Sequence, residues 1–196
     1  VKWYRLAAEQ GYVIAQYNLG VMYSKGQGVL QDYKEAVKWY RLAAEQGYAQ
    51  AQDFLGLSYS GGRGVTRNDK EANKWFRLAA DQGLRSAQSS LGFSYEQGLG
   101  VTKNYKEAVK WYRLAAEQGH DMSQHALGFL YETGRGLLQD NVMAHIWYNL
   151  ASAESGSKAW GESRDSVAKK MTPEDISKAQ AMARECMSSD YKKCGY

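Results

Sequence analysis

The stretch VKWYRLAAEQG fills residues 1–11 and returns without change at 37–47 and again at 109–119. Working outward from it, the tryptophans Trp3, Trp39, Trp75, Trp111 and Trp147 stand 36 residues apart. Leu19, Leu55, Leu91 and Leu127 keep the same spacing, as do Gly20, Gly56, Gly92 and Gly128, and Tyr23, Tyr59, Tyr95 and Tyr131. A period in this range, without the alternation of a strand, signals stacked supersecondary units. Each unit buries an apolar face that it cannot bury alone against its neighbours.

Within one unit the local signals are helical. Ala15, Leu19, Met22 and Tyr23 lie on one stripe of a helix over residues 14–26, termed helix A. Gly26-Gln27-Gly28 reads as a glycine cap and turn, repeated at Gly62-Arg63-Gly64, Gly98-Leu99-Gly100 and Gly134-Arg135-Gly136. Asp32, Asn68, Asn104 and Asp140 then occupy one N-cap position, with Glu35, Glu71 and Glu107 three residues on, a capping-box spacing from which Met143 departs. Helix B, from Tyr33 to Gln46 in the first full unit, sets Ala36, Trp39, Tyr40 and Ala43 on one side. Lys34, Lys38, Arg41 and Glu45 lie on the other. Gly47, Gly83 and Gly119 mark its end. Glycine inside helix A costs about 1 kcal/mol relative to alanine, so its return in each copy implies an offsetting close approach of helix B. Trp39 and Tyr40 are then expected to fill the space between successive hairpins.

Composition agrees with this pattern. The chain has 196 residues, 44% hydrophobic and 13% aromatic, with a single proline against 20 glycines. That is ample core material, cut into helices by glycine rather than stiffened by proline. Lys and Arg exceed Asp and Glu by 25 to 21, a mild excess spread along the chain that neither demands nor excludes a polyanionic partner. No apolar run is long enough to span a bilayer, so membrane insertion is not expected.

The pattern Ala-x-x-x-Leu-Gly-x-x-Tyr-x-x-Gly-x-Gly-Val, followed by Asp or Asn, Ala, Trp, Ala-Ala and Gly, resembles the Sel-1-like repeat, a relative of the tetratricopeptide repeat. The resemblance implies an all-α, right-handed superhelical solenoid of 36-residue helix-turn-helix repeats closed by a C-terminal capping helix. In this phasing a trailing half-repeat, 1–11, precedes four units at 12–47, 48–83, 84–119 and 120–156. Val1 falls inside a helix B, so at least one helix A is expected ahead of it in a longer protein. The fourth unit departs from the pattern at Ser123, Leu137 and Ser152, as terminal repeats do when they meet solvent. Residues 157–196 read as cap and tail. Gly156 to Lys170 is polar, and Trp160 lies off the period. Thr172-Pro173-Glu174-Asp175 opens a last helix running to about Met187, and Tyr191 to Tyr196 fray. Such an ending in the family points to a bacterial source.

Function must be read from sites, not from fold. Set against the tetratricopeptide pattern, the peptide-contacting positions of helix A fall at Ile14, Tyr17, Val21, Ser24 and Lys25. The first series continues as Gln50, Ser86 and Met122; the second as Asp53, Ser89 and His125; the third as Leu57, Phe93 and Phe129. The first two, and the last series of Lys25, Gly61, Gln97 and Thr133, vary between copies while their neighbours hold, which argues that they do not hold the stack together. The third stays apolar, consistent with inter-repeat packing or with a hydrophobic binding stripe. The expected binding set is therefore Ile14, Tyr17, Val21, Lys25, Gln50, Asp53, Leu57, Phe93, His125 and Phe129.

Other chemistry is less well supported. The Gly-x-Gly loops recur in every unit with no strand before them, which is turn chemistry rather than phosphate binding. His120 and His125 do not share a helix face and His145 stands alone, so no metal is expected, nor any other cofactor. Lys38-Trp39-Tyr40-Arg41 has the look of a stacking platform, but its aromatics recur at core spacing and acids neutralise the face, so nucleic acid is not the expected partner. Cys186 has no recognisable base. With Cys194 it forms a bridge, a free thiol pair or a ligand-capturing pair, the bridge being favoured in an exported protein. The reading is a monomeric, non-enzymatic adaptor that takes a peptide or partner protein on its concave face, with its half-repeat exposing Trp3 and Tyr4. Family resemblance implies export, to the periplasm or beyond, and envelope or host contact. The alternative is a regulatory or substrate-recruiting repeat domain of an enzyme whose catalytic part lies elsewhere.

Overall fold

A computed structural model of the chain describes residues 1–191 and 194. Among these, eleven helices follow one another: α1 (Lys2–Glu9), α2 (Val13–Lys25), α3 (Tyr33–Glu45), α4 (Ala49–Gly61), α5 (Asp69–Asp81), α6 (Arg85–Gln97), α7 (Tyr105–Ala116), α8 (Asp121–Thr133), α9 (Asn141–Ser155), α10 (Lys158–Ala168) and α11 (Pro173–Ser188). No strand occurs among the described residues. They form two compact units, one of residues 1–87 with 99–102, the other of 88–98 with 103–196.

The helix ends are those the residues dictate. Gly26 and Gly62 close α2 and α4 in the left-handed conformation, at φ 69° and 65°. Asp32 caps α3 by accepting from the backbone N–H groups of Lys34 and Glu35, and Asn68 caps α5 through Glu71. The reciprocal arm of a capping box does not form. Glu35 and Glu71 instead turn along the helix to Lys38 and Lys74.

In the first unit, α2 packs on α3 and α4 on α5. A Cβ added at Gly20 would lie 2.6 Å from two ring carbons of Tyr40 and 3.2 Å from the carbonyl of Ala36; at Gly56 it would meet Phe76 and Ala72 at the same distances. The glycine therefore seats an aromatic ring of its own hairpin. Tyr40 also fills space toward the next hairpin as expected, its ring centroid 5.3 Å from that of Phe54 on α4. Trp39 packs the other way, on the cluster of Ala8, Ala15 and Leu19. A glutamine ladder adds register: Gln46 donates to Gln16 at 2.7 Å and Gln82 to Gln52 at 2.8 Å. Gln16 and Gln52 in turn donate to the carbonyls of Ala8 and Ala44. The second glycine of each turn also does more than turn. Gly64, at φ 75°, lies against the backbone of Tyr33 with no room for a side chain.

The second unit repeats these devices. Gly92 seats Tyr112 and Gly128 seats Tyr148, while Gln118 donates to Gln88 at 2.8 Å. Its core runs on into the C-terminal segment, where Val167, Ala179, Ala183, Cys186 and Cys194 join Leu127, Ile146 and Trp147. The polar stretch after Gly156 contains a helix, α10, that the period does not announce. It starts 37 residues after the start of α8, one place off the period, packs on α9 as α11 also does, and lacks the Leu-Gly signature. The cap is thus two helices each laid on α9. Thr172 caps α11 by accepting from Asp175. Cys186 and Cys194 are joined in a disulfide, and both are buried. Of the tail expected to fray, Tyr191 packs on the core and Cys194 is fixed by its bond, while residues 192, 193, 195 and 196 lie outside the described residues.

Candidate functional site

The expected binding residues separate into exposed and internal groups. In the first unit, Ile14 is 59% exposed and Leu57 45% exposed, and Gln50 and Lys25 also face solvent. Val21 is half-buried against the core of α3 and α4. Tyr17 is also half-buried, within a group of rings. Its centroid is 5.2 Å from Tyr48, 5.6 Å from Phe54 and 6.2 Å from Tyr40. Burial, with help from Tyr48 and Asp53, pushes its phenol up from the ordinary value.

Asp53 is the clearest correction to the binding set. Its side chain is buried at 5% exposure, and one oxygen accepts from the Ser86 hydroxyl at 2.7 Å. The other oxygen, Oδ1, has no hydrogen-bond partner. Burial raises the carboxyl above its usual range, with the Ser86 bond pulling the other way. Asp53 therefore bonds between helices instead of presenting a charge to solvent. Variation at its position between copies reflects a changing contact with the next helix A, Tyr17 to Phe54 in one unit and Asp53 to Ser86 in the next.

In the second unit Phe93 is half exposed and Met122 is 58% exposed. Phe129 is half-buried, with the guanidinium of Arg135 5.2 Å above its ring. His125 is half-buried between Trp160, stacked at 5.3 Å, and Tyr148 at 5.0 Å, and its Nε2 lies 3.1 Å from the Ser163 hydroxyl. Burial lowers its basicity. His125 thus anchors α10, a use invisible in sequence because Trp160 lies off the period. His120 caps α8 by accepting from Ser123 N–H, and His145 is buried.

Two glutamates on the same helix face did not figure in the sequence reading. Glu96 accepts the hydroxyl of Tyr112 at 2.8 Å, and Glu132 accepts that of Tyr148 at 2.9 Å and the ammonium of Lys170 at 2.7 Å. Burial raises the Glu132 carboxyl, but the bonds from Lys170 and Tyr148 outweigh it and hold the group below its ordinary value. Both tyrosine phenols are pushed far up, chiefly by burial. The signal that could have revealed them is Phe-x-x-Glu, present at Phe93–Glu96 and Phe129–Glu132, where the first two units have Val21–Ser24 and Leu57–Ser60.

Among the described residues no group of three or more His, Cys, Asp or Glu side chains is placed to hold a metal ion, and no helix is long and apolar enough to cross a membrane. What each unit offers is a set of exposed helix-A residues, apolar and polar side by side.

The repeat phase agrees with a known pattern, since the Sel1 repeat matches residues 1–12, 13–48, 49–84, 85–120 and 121–155. The chain belongs to the Sel1 repeat family. Two solved Sel1-type structures resemble it. A protective antigen present in uropathogenic Escherichia coli strains and displaying an SLR fold is 47% identical, with a TM-score of 0.78, over 81% of this chain and 34% of that one. A Sel1 repeat protein from Oxalobacter formigenes is 41% identical, with a TM-score of 0.73, over 76% of this chain and 60% of that one. The chain thus spans about a third of the first relative and three-fifths of the second. No functionally curated protein matches it. Sel1 repeat proteins are typically protein-interaction scaffolds, and the helical pairs described above are of that all-α class.

Proposed function

We propose that these Sel1 repeats form a non-enzymatic adaptor surface that binds a peptide or a loop of a partner protein through the exposed face of the first helix of each pair. The observation that carries this is the recurrence of solvent-exposed apolar side chains there: Ile14 on α2, Leu57 on α4, Phe93 on α6 and Met122 on α8. These groups occupy two positions of the helix, that of Ile14 and Met122 and that of Leu57 and Phe93, and the part of each left in water supplies binding energy once covered. Gln50 and Lys25 supply polar contacts beside them. Tyr17 and Asp53 support the frame instead.

The protein is placed by this reading in an exported compartment of a bacterium, in envelope or host contact. The buried Cys186–Cys194 disulfide supports an oxidising compartment, and similarity to a protective antigen of uropathogenic Escherichia coli supports exposure to a host. Affinity capture tests the adaptor reading, with wild type and the double variant Ile14→Asp, Leu57→Asp as baits against envelope and host-cell extracts. A partner held by wild type and released by the variant, with the melting temperature of the bait unchanged, is the expected result. Equal capture by both baits would remove this face from the proposal. Fractionation of cells producing the full-length protein tests the compartment, and recovery in the cytoplasm with reduced cysteines would refute export.

A further inference from the structure

The two Phe-x-x-Glu pairs of the second unit differ in one respect that assigns them a ligand chemistry. In each, the glutamate is fixed by a phenol from the following helix B, Tyr112 for Glu96 and Tyr148 for Glu132. A hydroxyl engages one carboxylate oxygen and orients the group, leaving the second oxygen to accept a further donor. At Glu132 that donor comes from the chain itself. Lys170 brings its ammonium to 2.7 Å of Oε1 from the end of α10, where the side chain of Glu132 is only 19% exposed. Lys170 stands 36 residues after Gly134, the turn glycine of the preceding unit. The place from which a lysine would reach Glu96 is therefore held by a glycine, which carries no side chain.

On this basis we infer that Phe93 and Glu96 form a subsite for a basic side chain of a partner peptide, a lysine or arginine next to an apolar residue. The Lys170–Glu132 pair is the internal template for that contact. The inference rests on the helix-A face being the docking surface, and names the chemistry it selects. Charge complementarity sets the occupant: the oriented carboxylate takes the cation, and the half-exposed ring of Phe93, one turn away on α6, covers the neighbouring apolar group and the methylenes of the basic chain. The first unit lacks this preference. Its equivalent position is Ser24, whose hydroxyl pairs with that of Tyr40 at 3.0 Å, satisfying the tyrosine without a charge.

That native serine supplies the control variant. Glu96→Ser reproduces at Tyr112 the pairing that Tyr40 already has, so the hairpin keeps its hydrogen bond while the charge is lost. A displayed library of random linear peptides is selected on the wild-type protein, and the recovered peptides are then titrated by fluorescence anisotropy against wild type, Glu96→Ser and Phe93→Asp. The expected result is enrichment of Lys or Arg beside an apolar residue, with binding weakened about tenfold or more by Glu96→Ser, and by replacing the basic residue of the peptide with glutamine. The two losses should not add in the double change. Selected peptides without basic residues, or peptides that bind Glu96→Ser as tightly as wild type while Phe93→Asp releases them, would overturn this subsite and leave the docking face standing. Peptides indifferent to Phe93→Asp as well would overturn the face itself. A library that yields no binder would overturn the subsite, leaving the face to the capture experiment.

Discussion

Gly56→Ala isolates the contact that makes each hairpin. An alanine Cβ here would lie 2.6 Å from Cδ1 and Cε1 of Phe76, about 0.8 Å inside the 3.4 Å at which ordinary contact begins, and 3.2 Å from the carbonyl of Ala72. The ring cannot simply step aside, because Phe76 is 3% exposed and held by its own helix and its neighbours. Overpacking of this kind costs about 1–3 kcal/mol, while replacing glycine by alanine inside a helix returns about 1 kcal/mol. The net expectation is a loss of about 1–2 kcal/mol, and more for Gly56→Leu. Urea unfolding followed by tryptophan fluorescence reads this as a lowered midpoint. Gly61→Ala, in the last turn of the same α4, is the matched control. Its Cβ would meet only Arg63, at 3.7 Å, so the midpoint should hold or rise slightly. With Phe76→Ala in place, the same Gly56→Ala change should turn favourable, a coupling of about 2–3 kcal/mol between the two sites. An unchanged or raised midpoint for Gly56→Ala alone would refute the socket argument, since propensity would then be the whole effect.

Three further outcomes follow from particular contacts. Asp53 has a folded-state carboxyl raised above its ordinary value, so the folded chain binds the proton more tightly than the unfolded chain, and stability falls as pH rises from about 3.8 through the raised value. Asp53→Asn, which still accepts from Ser86, should therefore stabilise the protein at neutral pH by about 1 kcal/mol, a gain that shrinks as pH falls toward the carboxylate range. Thermal melts across that range check it, and a pH-independent gain would be contrary. Removing the Cys186–Cys194 bridge, by reduction or by Cys186→Ser with Cys194→Ser, should cost about 2–3 kcal/mol from loop closure and show as faster hydrogen exchange in α11 than in α3. Gln82→Ala strands the Oε1 of buried Gln52 and should lower the unfolding free energy by about 1–3 kcal/mol, read from the denaturation midpoint, whereas a surface effect would stay within about 0.5 kcal/mol.

Helix type, the ends of the repeat helices, the 36-residue unit and the close approach of helix B at Gly20 and its equivalents were legible in sequence. Each is set by local chemistry: a glycine that adopts positive φ without steric cost, an N-cap carboxylate or amide two or three residues from its donor, a stripe repeating at the helical period. The same locality let the Thr172-Pro173 start of α11 be read, and left α10 unread, because its only fully buried side chain is Val167 and no apolar stripe marks it. What spacing could not decide was the role of residues whose partners come from another element. Ile14 and Asp53 both fall on the outward arc of helix A by pattern, yet one is in water and the other is bonded beneath the surface to Ser86, 33 residues on. His125 became an anchor only because Trp160 stacks on it, and Glu132 differs from Glu96 only because Lys170 reaches back to it. Periodicity fixes which way a side chain leaves its helix. Whether it then meets solvent, a ring or a charge depends on the packing of the next helix, and that is decided in three dimensions.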